Sequence, residues 1–549
     1  MSQVEQLVPI TLPDGTTLRA TVHRPVTTHP VPVVLALTPY PVDAARQEMG
    51  ESELVARGLA VVVVALRGTG SSEGTFVPWR RHVEDAHAVI EWCSQQPWST
   101  GSVVGWGRSY LAQTQLYLAS TGHPALRAMH LGVCPGDPVG IIYRGGAVVL
   151  GSALSWATAM SRGELMRAAA RGEDMTAELA EWEELAADPD AAARTAPLAD
   201  IPLLDRRFPA WRDWMTHPAG DPWWQERALP PRPAVPTLFV AGWHDLFRDL
   251  TLQQFAVAQH PASRLVVGPW GHGFPAQAMG EVDYGRAAAR GAEHLGADGI
   301  EFLVAHATGA PDEATGPRVR VFVMGENEWR DLEAWPPPGT APTPWHLAPD
   351  GGLAPEVVDG TAEPSTFVFD PCDPVPTVGG PNLFARGDAA RGAGPWDQRP
   401  LDDRADVLHF VSPPLADDLT VLGDVVVHLF AATDAVDTDW TAKLVDVHPD
   451  GTAIAVLDGI ARVREVLGEL VPPAEVHEVP VELGATAYLF RAGHRLRLDI
   501  SSSNFPRFDP NPGTGTGAGV TDRSQFRVAH QQVHHDGPHP SRLVLPVAP

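Results

Sequence analysis

A short apolar run that feeds directly into Gly105-Trp106-Gly107-Arg108-Ser109-Tyr110 constrains this chain more than any other stretch of it. Ser102-Val103-Val104 reads as a buried strand, and Leu111 to Ala119 as a helix. A strand that turns into a helix within a few residues, with Gly-x-Ser at the bend, is the layout of a nucleophile elbow. The sharp turn lifts the serine hydroxyl clear of a sheet, at a helix N-terminus, and small neighbours prevent clashes. Gly-x-Ser by itself is a weak signal, because many surface turns contain it. The reading depends on what the rest of the chain supplies.

Two downstream motifs supply it. Asp245 lies in Gly242-Trp243-His244-Asp245, and His272 lies in Gly268-Pro269-Trp270-Gly271-His272. Each follows a predicted strand, at Thr237 to Ala241 and Arg264 to Val267. The chain order Ser, Asp, His is the one expected of an α/β-hydrolase. Val31 to Leu37 and Leu59 to Ala65 are continuous apolar runs, as parallel strands covered on both faces should be. Ala44 to Arg57 and His82 to Ser94 read as helices, with Leu126 to Val133 and Val319 to Val323 as further strands. This βαβα alternation predicts a doubly wound parallel sheet.

The alternation stops between residues 137 and 227, a stretch rich in Ala, Glu, Met and Trp. Helical segments are predicted at Gly151 to Met160, Glu164 to Arg171 and Met175 to Ala186, which together read as a cap. Trp156, Trp211, Trp214, Trp223 and Trp224 could line a substrate pocket beneath it, or pack as the core of a small helical subdomain. From Trp345 onward helix signals nearly vanish, and short strands such as Val425 to Phe430, Ala442 to Val447 and Arg495 to Ile500 alternate with Gly, Pro and Asp turns. That pattern predicts a jelly-roll β-sandwich. The expected domains are therefore an α/β-hydrolase domain in two parts (1–136 and 228–340), a helical cap (137–227) and a C-terminal jelly roll (341–549), with Pro336-Pro337-Pro338 near the last boundary.

Composition excludes some partners. With 40 basic and 67 acidic residues the formal net charge is −27, which argues against nucleic acid or an anionic membrane as the main partner. The three cysteines, Cys93, Cys134 and Cys372, are far apart and form no disulfide framework, as expected in a reducing compartment. The N-terminus lacks the basic start and apolar core of a signal peptide, and no apolar run approaches the length needed to cross a bilayer. The expectation is a cytoplasmic protein acting on a small-molecule acyl substrate, with homo-oligomer formation left open.

The motifs together resemble the CocE/NonD hydrolases, a group related to cocaine esterase, the α-amino acid ester hydrolases and the X-Pro dipeptidyl peptidases. Arg67-Gly68-Thr69-Gly70-Ser71-Ser72-Glu73-Gly74, Ser109-Tyr110, and the acid and histidine motifs at 242–245 and 268–272 carry the resemblance. So do Asp370-Pro371-Cys372-Asp373-Pro374-Val375-Pro376-Thr377-Val378-Gly379-Gly380, Lys443-Leu444-Val445-Asp446-Val447 and Ser501-Ser502-Ser503-Asn504-Phe505-Pro506. It covers nearly the whole chain and implies the same three-part architecture. One departure is Ala112, where the family usually places glycine, three residues after the nucleophile.

The chemistry expected of these residues is acyl transfer. Ser109 is the candidate nucleophile, His272 its general base and Asp245 the residue that orients the imidazole. The amide of Tyr110, one residue past the nucleophile, is a candidate oxyanion donor. The resemblance suggests the phenol of Tyr40, after the first long strand, as the second. Trp270 and Phe247, next to the catalytic His and Asp, are expected to form an apolar pocket wall together with cap aromatics such as Trp156. Asp249 is expected on a solvated helix face, and Asp434, Asp437 and Asp439 on a solvated turn. The glycine-rich stretch at 68–74 lacks the G-x-G-x-x-G spacing and a Walker lysine, and no His, Cys or carboxylate group has metal-like spacing, so neither cofactor nor metal is expected. Carboxylic ester hydrolysis is the leading reading, with amide or β-lactam acylase or acyltransferase activity as the alternative. X-Pro dipeptidyl peptidase activity and a non-catalytic binding scaffold rank below these.

Overall fold

The continuous apolar runs become the inner strands of a ten-stranded sheet. The computed structural model describes residues 1–232, 234–258, 260–273, 276–309, 316–383 and 392–549, with backbone alone at 290 and 292–295. The strands of the sheet are β1 (Ser2–Thr11), β2 (Thr17–Pro25), β3 (Val31–Thr38), β4 (Ala60–Ala65), β5 (Ser99–Arg108), β6 (Leu126–Gly132), β7 (Thr237–Gly242), β8 (Arg264–Gly268), β9 (Val319–Val323) and β10 (Glu328–Leu332). They lie in the order β1-β2-β4-β3-β5-β6-β7-β8-β9-β10. From β4 to β9 every neighbouring pair is parallel. Val33 to Leu37 and Ala60 to Val64 are fully buried, because helices cover both faces. Antiparallel β1–β2 and β10 extend the two edges.

The chain steps outward from β3 to β4, then returns to place β5 on the other side of β3. Such a reversal leaves a crevice at the carboxyl ends of the two central strands, the usual ligand position in open α/β sheets. Tyr40 follows β3 and Ser109 follows β5, so these two residues flank it.

Some elements differ from the sequence reading. The helix expected over 44–57 is two, Val42–Glu48 and Glu51–Ala56, broken at Met49 and Gly50. The segments expected at 151–160 and 164–171 are one helix, Leu150–Ala170, which continues through Gly163. The 24-residue helix Gly285–Thr308 was not anticipated, since its glycines lower helix propensity. Between β6 and β7 the chain runs through the helices Pro138–Ile142, Leu150–Ala170, Thr176–Ala187, Pro189–Ala193, Pro202–Arg207 and Ala210–Thr216. Among the described residues, no helix is long and apolar enough to cross a membrane.

The C-terminal part is mostly β. Its main strands are β11 (Leu419–Thr433), β12 (Asp439–Val447), β13 (Ala453–Arg462), β14 (His477–Phe490) and β15 (Arg495–Ser501). β11 pairs antiparallel with β14, Ala529–His534 and Arg542–Val547, while β12 sits between β13 and β15 in a second sheet. The two sheets pack on each other where β13 meets β14.

Most of the acidic residues expected to be solvated are held in ion pairs instead. Asp437 and Asp439 are both buried, and Arg462 makes two hydrogen bonds to Asp439, at 2.9 and 2.8 Å, while also reaching Asp509. Asn511 donates to both Asp437 and Asp439. Only Asp434 matches the expectation of an exposed turn, paired with His530. Asp249 likewise pairs with Arg248 and with Arg144, at 2.7 and 2.9 Å. It also accepts from the Ala485 amide, while both arginines donate to the Leu483 carbonyl. A Cβ on Gly484 would lie 2.2 Å from the Arg248 guanidinium, so the β14 backbone has to be bare there. This cluster joins the large sheet's acid loop to the C-terminal part.

Two buried histidines make stability depend on pH. His82, held between the Tyr110 hydroxyl and the Arg80 carbonyl, has its pKa pushed down to about 4 by burial, and His244, bonded to Tyr284, to about 3. Between those values and the ordinary 6.5, the unfolded chain binds more protons than the folded one, so stability rises with pH through this window. Each histidine contributes at most about 1.4 kcal/mol per pH unit. The thermal midpoint should therefore fall as pH drops from 6.5 towards 4, and His244→Gln should flatten the slope. A midpoint insensitive to pH in that range would contradict the burial of both rings in neutral form.

Candidate active site

The bend after β5 is tight because the helix Tyr110–Ser120 starts against the strand itself. A Cβ on Gly107 would lie 2.2 Å from the Leu111 carbonyl oxygen and 2.5 Å from the Ala112 nitrogen, so only glycine permits the approach. Ser109 takes φ 55° and ψ −129°, a conformation that L-residues rarely adopt. Its amide donates to the Gly132 carbonyl at the end of β6, at 2.9 Å, which locks the strained residue in place. Ala112, the departure from the family pattern, is completely buried and its amide bonds the Ser109 carbonyl, so its methyl is accommodated without breaking the helix.

The loops after β7 and β8 bring two side chains to this serine. His272 Nε2 lies 2.9 Å from Ser109 Oγ, and His272 Nδ1 lies 2.6 Å from Asp245 Oδ2. Asp245 is 1% exposed, and its other oxygen accepts the Phe247 amide at 2.7 Å. With Nδ1–H donated to the carboxylate, the Nε2 lone pair faces the serine hydroxyl. The sequence reading missed Arg108, although it lies inside the elbow motif. Its guanidinium donates to the His272 and Gly273 carbonyls and pairs with Glu48 at 2.9 Å, tying the histidine loop to the end of β5. Its place beside the serine gives no sign of this, because the partners are backbone atoms 164 and 165 residues away.

Tyr40 and Trp156 meet above the serine. The Trp156 indole N–H donates to the Tyr40 hydroxyl oxygen at 2.8 Å. Burial pushes the Tyr40 phenol up to about 12, so it stays protonated at neutral pH. Trp156 stacks on Tyr110 and Trp214, with ring centroids 5.3 and 5.8 Å apart. The Tyr110 hydroxyl meets His82 at 2.8 Å and accepts from the Trp79 amide. The Tyr110 amide is the first of the helix, one of the N–H groups that helix geometry leaves without an intrahelical partner.

A narrow cavity of ≈ 50 Å³ opens beside Ser109. Tyr40, Trp156, Trp214, Phe247, Ile141 and Leu383 are among its walls. The Phe247 ring stands edge-on to His272, with centroids 5.3 Å apart. Of the other cap tryptophans, Trp211 is fully buried, donating to the Leu198 carbonyl, and Trp223 and Trp224 pack against each other. Trp79, which also lines the cavity, was not anticipated. The expectation for Trp270 is corrected. Its ring lies over Gly268 and against Trp329, on the far side of the histidine loop, and it does not line this cavity. Nearness to His272 in sequence misleads here, because the Trp270 ring is folded back over Gly268 and packed on Trp329.

Residues 14–274 match the family described as X-Pro dipeptidyl-peptidase (S15 family), and residues 313–544 match the X-Pro dipeptidyl-peptidase C-terminal non-catalytic domain. The chain is 39% identical to cocaine esterase of Rhodococcus sp. (strain MB1 Bresler), over 98% of each protein. Among solved structures it is similar to an α-amino acid ester hydrolase, with 25% identity and a TM-score of 0.79 over 100% of this chain and 96% of that one. An aminopeptidase from a marine sediment archaeon, Thaumarchaeota archaeon, shares the fold at 24% identity, with a TM-score of 0.80 over 100% of this chain and 97% of that one.

The elbow geometry makes Gly107→Ala a sharp test. The added methyl would overlap the Leu111 carbonyl, so strand and helix must separate, at a cost of about 1–3 kcal/mol for an overpacked site. The variant should lose several degrees of thermal midpoint, and an unchanged midpoint would show that the approach is looser than described.

Proposed function

Because the chain belongs to the CocE/NonD family of serine hydrolases acting on esters, we propose that it cleaves a small carboxylic ester through an acyl-enzyme, with Ser109 as nucleophile, His272 as general base and acid, and Asp245 as the orienting carboxylate. The observation that carries this reading is the continuous contact from Asp245 through His272 to Ser109, at 2.6 and 2.9 Å. As Ser109 Oγ attacks the ester carbonyl carbon, its proton passes to His272 Nε2. Asp245 stabilises the imidazolium through Nδ1–H. The carbonyl oxygen becomes an oxyanion. When the tetrahedral intermediate collapses, His272 returns the proton to the departing alkoxide and an acyl-Ser109 ester remains. Water, activated by the same imidazole, then releases the acid and restores Ser109.

The oxyanion is assigned to two donors, the Tyr110 amide and the Tyr40 hydroxyl. The Trp156 N–H occupies the Tyr40 oxygen from the cap side, which leaves the phenolic O–H to turn towards the pocket. A protonated phenol strengthens its hydrogen bond as charge develops, so the interaction belongs mainly to the transition state. The acyl group is assigned to the narrow slot between Phe247 and the cap aromatics, which suits a flat aromatic or short branched acyl chain better than a long one. Three free cysteines, two of them buried, support a cytoplasmic setting.

A fluorophosphonate probe should label the wild type and fail on Ser109→Ala, and equal labelling of both would refute the nucleophile. Loss of His272 should lower kcat by about 10⁶ and loss of Asp245 by about 10⁴. On matched substrate series, esters should turn over well ahead of amides, with little partitioning to added alcohol or amine acceptors. Comparable amide cleavage would reassign the enzyme as an acylase, and partitioning at low acceptor concentration would reassign it as a transferase. Phe247→Ala should broaden the acyl preference, and an unchanged preference would remove Phe247 from the acyl site.

Tyr40→Phe keeps the ring and deletes the donor. It should lower kcat by about 10²–10³ with KM little changed. Trp156→Phe should also lower kcat in the wild type and cost less in the Tyr40→Phe background, because part of its effect passes through that one hydroxyl. Additive effects would mean that Trp156 contributes by packing alone.

A further inference from the structure

We propose that Asp446, His448 and His494 form a binding site for a divalent transition-metal ion of the Zn²⁺ class, on the C-terminal part and separate from the serine site. One oxygen or nitrogen from each residue lies within 4.8 Å of the others. His494 Nδ1 stands 2.9 Å from Asp446 Oδ1, and His448 Nε2 stands 3.5 Å from Asp446 Oδ2. Ligands about 2.0–2.2 Å from a tetrahedral ion are a little over 3 Å apart, so small side-chain rotations suffice to close the three around one metal.

The site is built rather than incidental. Asp446 is 2% exposed, and the Tyr488 hydroxyl donates to its Oδ2 at 2.9 Å, fixing the carboxylate from behind as an outer-shell partner does. The two histidines come from backbone turns that are themselves bonded. The His448 amide donates to the Thr452 carbonyl, and Leu415 donates to the carbonyl of His494. Asp446 and His448 are two apart, but β12 ends at Val447, so His448 belongs to the turn and swings back over the carboxylate. The imidazole rings lie 4.5 Å apart at 38°, both partly open to solvent, which leaves water to complete the coordination.

Two imidazole nitrogens and one carboxylate oxygen favour Zn²⁺, Ni²⁺ or Cu²⁺ over Ca²⁺ and Mg²⁺, which prefer all-oxygen shells. To ligate, His494 must present the Nδ1 lone pair now covered by a proton shared with Asp446. The tautomer protonated at Nε2 presents it. Spacing in the sequence gives no hint of this site, because His494 is 46 residues beyond His448 and reaches it only through the pairing of β12 with β15.

Calorimetric titration of the chelator-treated full-length protein with ZnCl₂ should find one site per chain, and Zn²⁺ should raise the thermal midpoint. His448→Gln, a partly exposed change outside the serine site, should retain ester hydrolysis but weaken Zn²⁺ binding by about tenfold or more. His494→Gln should weaken it likewise. Absence of Zn²⁺ binding, binding unaltered in both variants, or equal affinity for Ca²⁺ would each overturn the proposal and leave the cluster as a hydrogen-bonded carboxylate.

Discussion

The close approach of β5 to the helix that follows Ser109 is the constraint on which the site depends. It holds Ser109 in a backbone conformation that costs on the order of 1–3 kcal/mol, and that cost has to be offset by the surroundings. The structure does so on three sides. The Ser109 amide is bonded to the end of β6, and Gly107 lets the helix sit down on the strand. The helix start is anchored through Tyr110, whose hydroxyl meets His82 and the Trp79 amide, and through Gln113, which accepts the Trp79 indole N–H. A strained residue surrounded by satisfied, buried partners stays rigid, and rigidity is what lets a serine keep its 2.9 Å contact with a histidine 163 positions away.

Above that floor the cap contributes aromatic surface with few polar atoms. Trp156 stands at the centre, stacked between Tyr110 and Trp214 and bonded to Tyr40. One side chain therefore joins the wall of the cavity to the proposed oxyanion donor. Its substitution cannot be read as a pocket effect or an electrostatic effect alone. Arg108 has a comparable double attachment below, to the histidine loop on one side and Glu48 on the other.

The sequence made some of this legible and hid the rest, for definite reasons. Ser109, Asp245 and His272 were recognisable because each follows a strand within a few residues and carries its own local signature, and the structure brings all three together. Apolar runs located the inner strands equally well, since burial on both faces leaves no polar alternation to misread. Edge strands and the glycine-bearing helix at 285–308 lacked such signatures. Side-chain direction was the weakest inference. Trp270 faces away from the cavity although it is two residues from His272, and Phe247 faces into it. Acidic residues misled for a related reason: Asp249, Asp437 and Asp439 look solvated until the arginines at 144, 464 and 462, respectively, are brought alongside them by tertiary contacts that no local pattern encodes.

The cluster of Arg144, Arg248 and Asp249 bears on how this architecture could be recombined. The two halves match separate family descriptions, which invites treating them as exchangeable parts. Yet Arg248 is the residue after Phe247, and its guanidinium lies against the bare backbone of Gly484 and the Leu483 carbonyl. A chimera that paired this N-terminal half with a foreign C-terminal part carrying a side chain at that position would push directly on the loop that holds Asp245. Crossovers are therefore compatible with an intact acid loop only when residues 483–485 travel together with 144, 248 and 249. The unit of inheritance in this chain is the contact between its halves rather than either half.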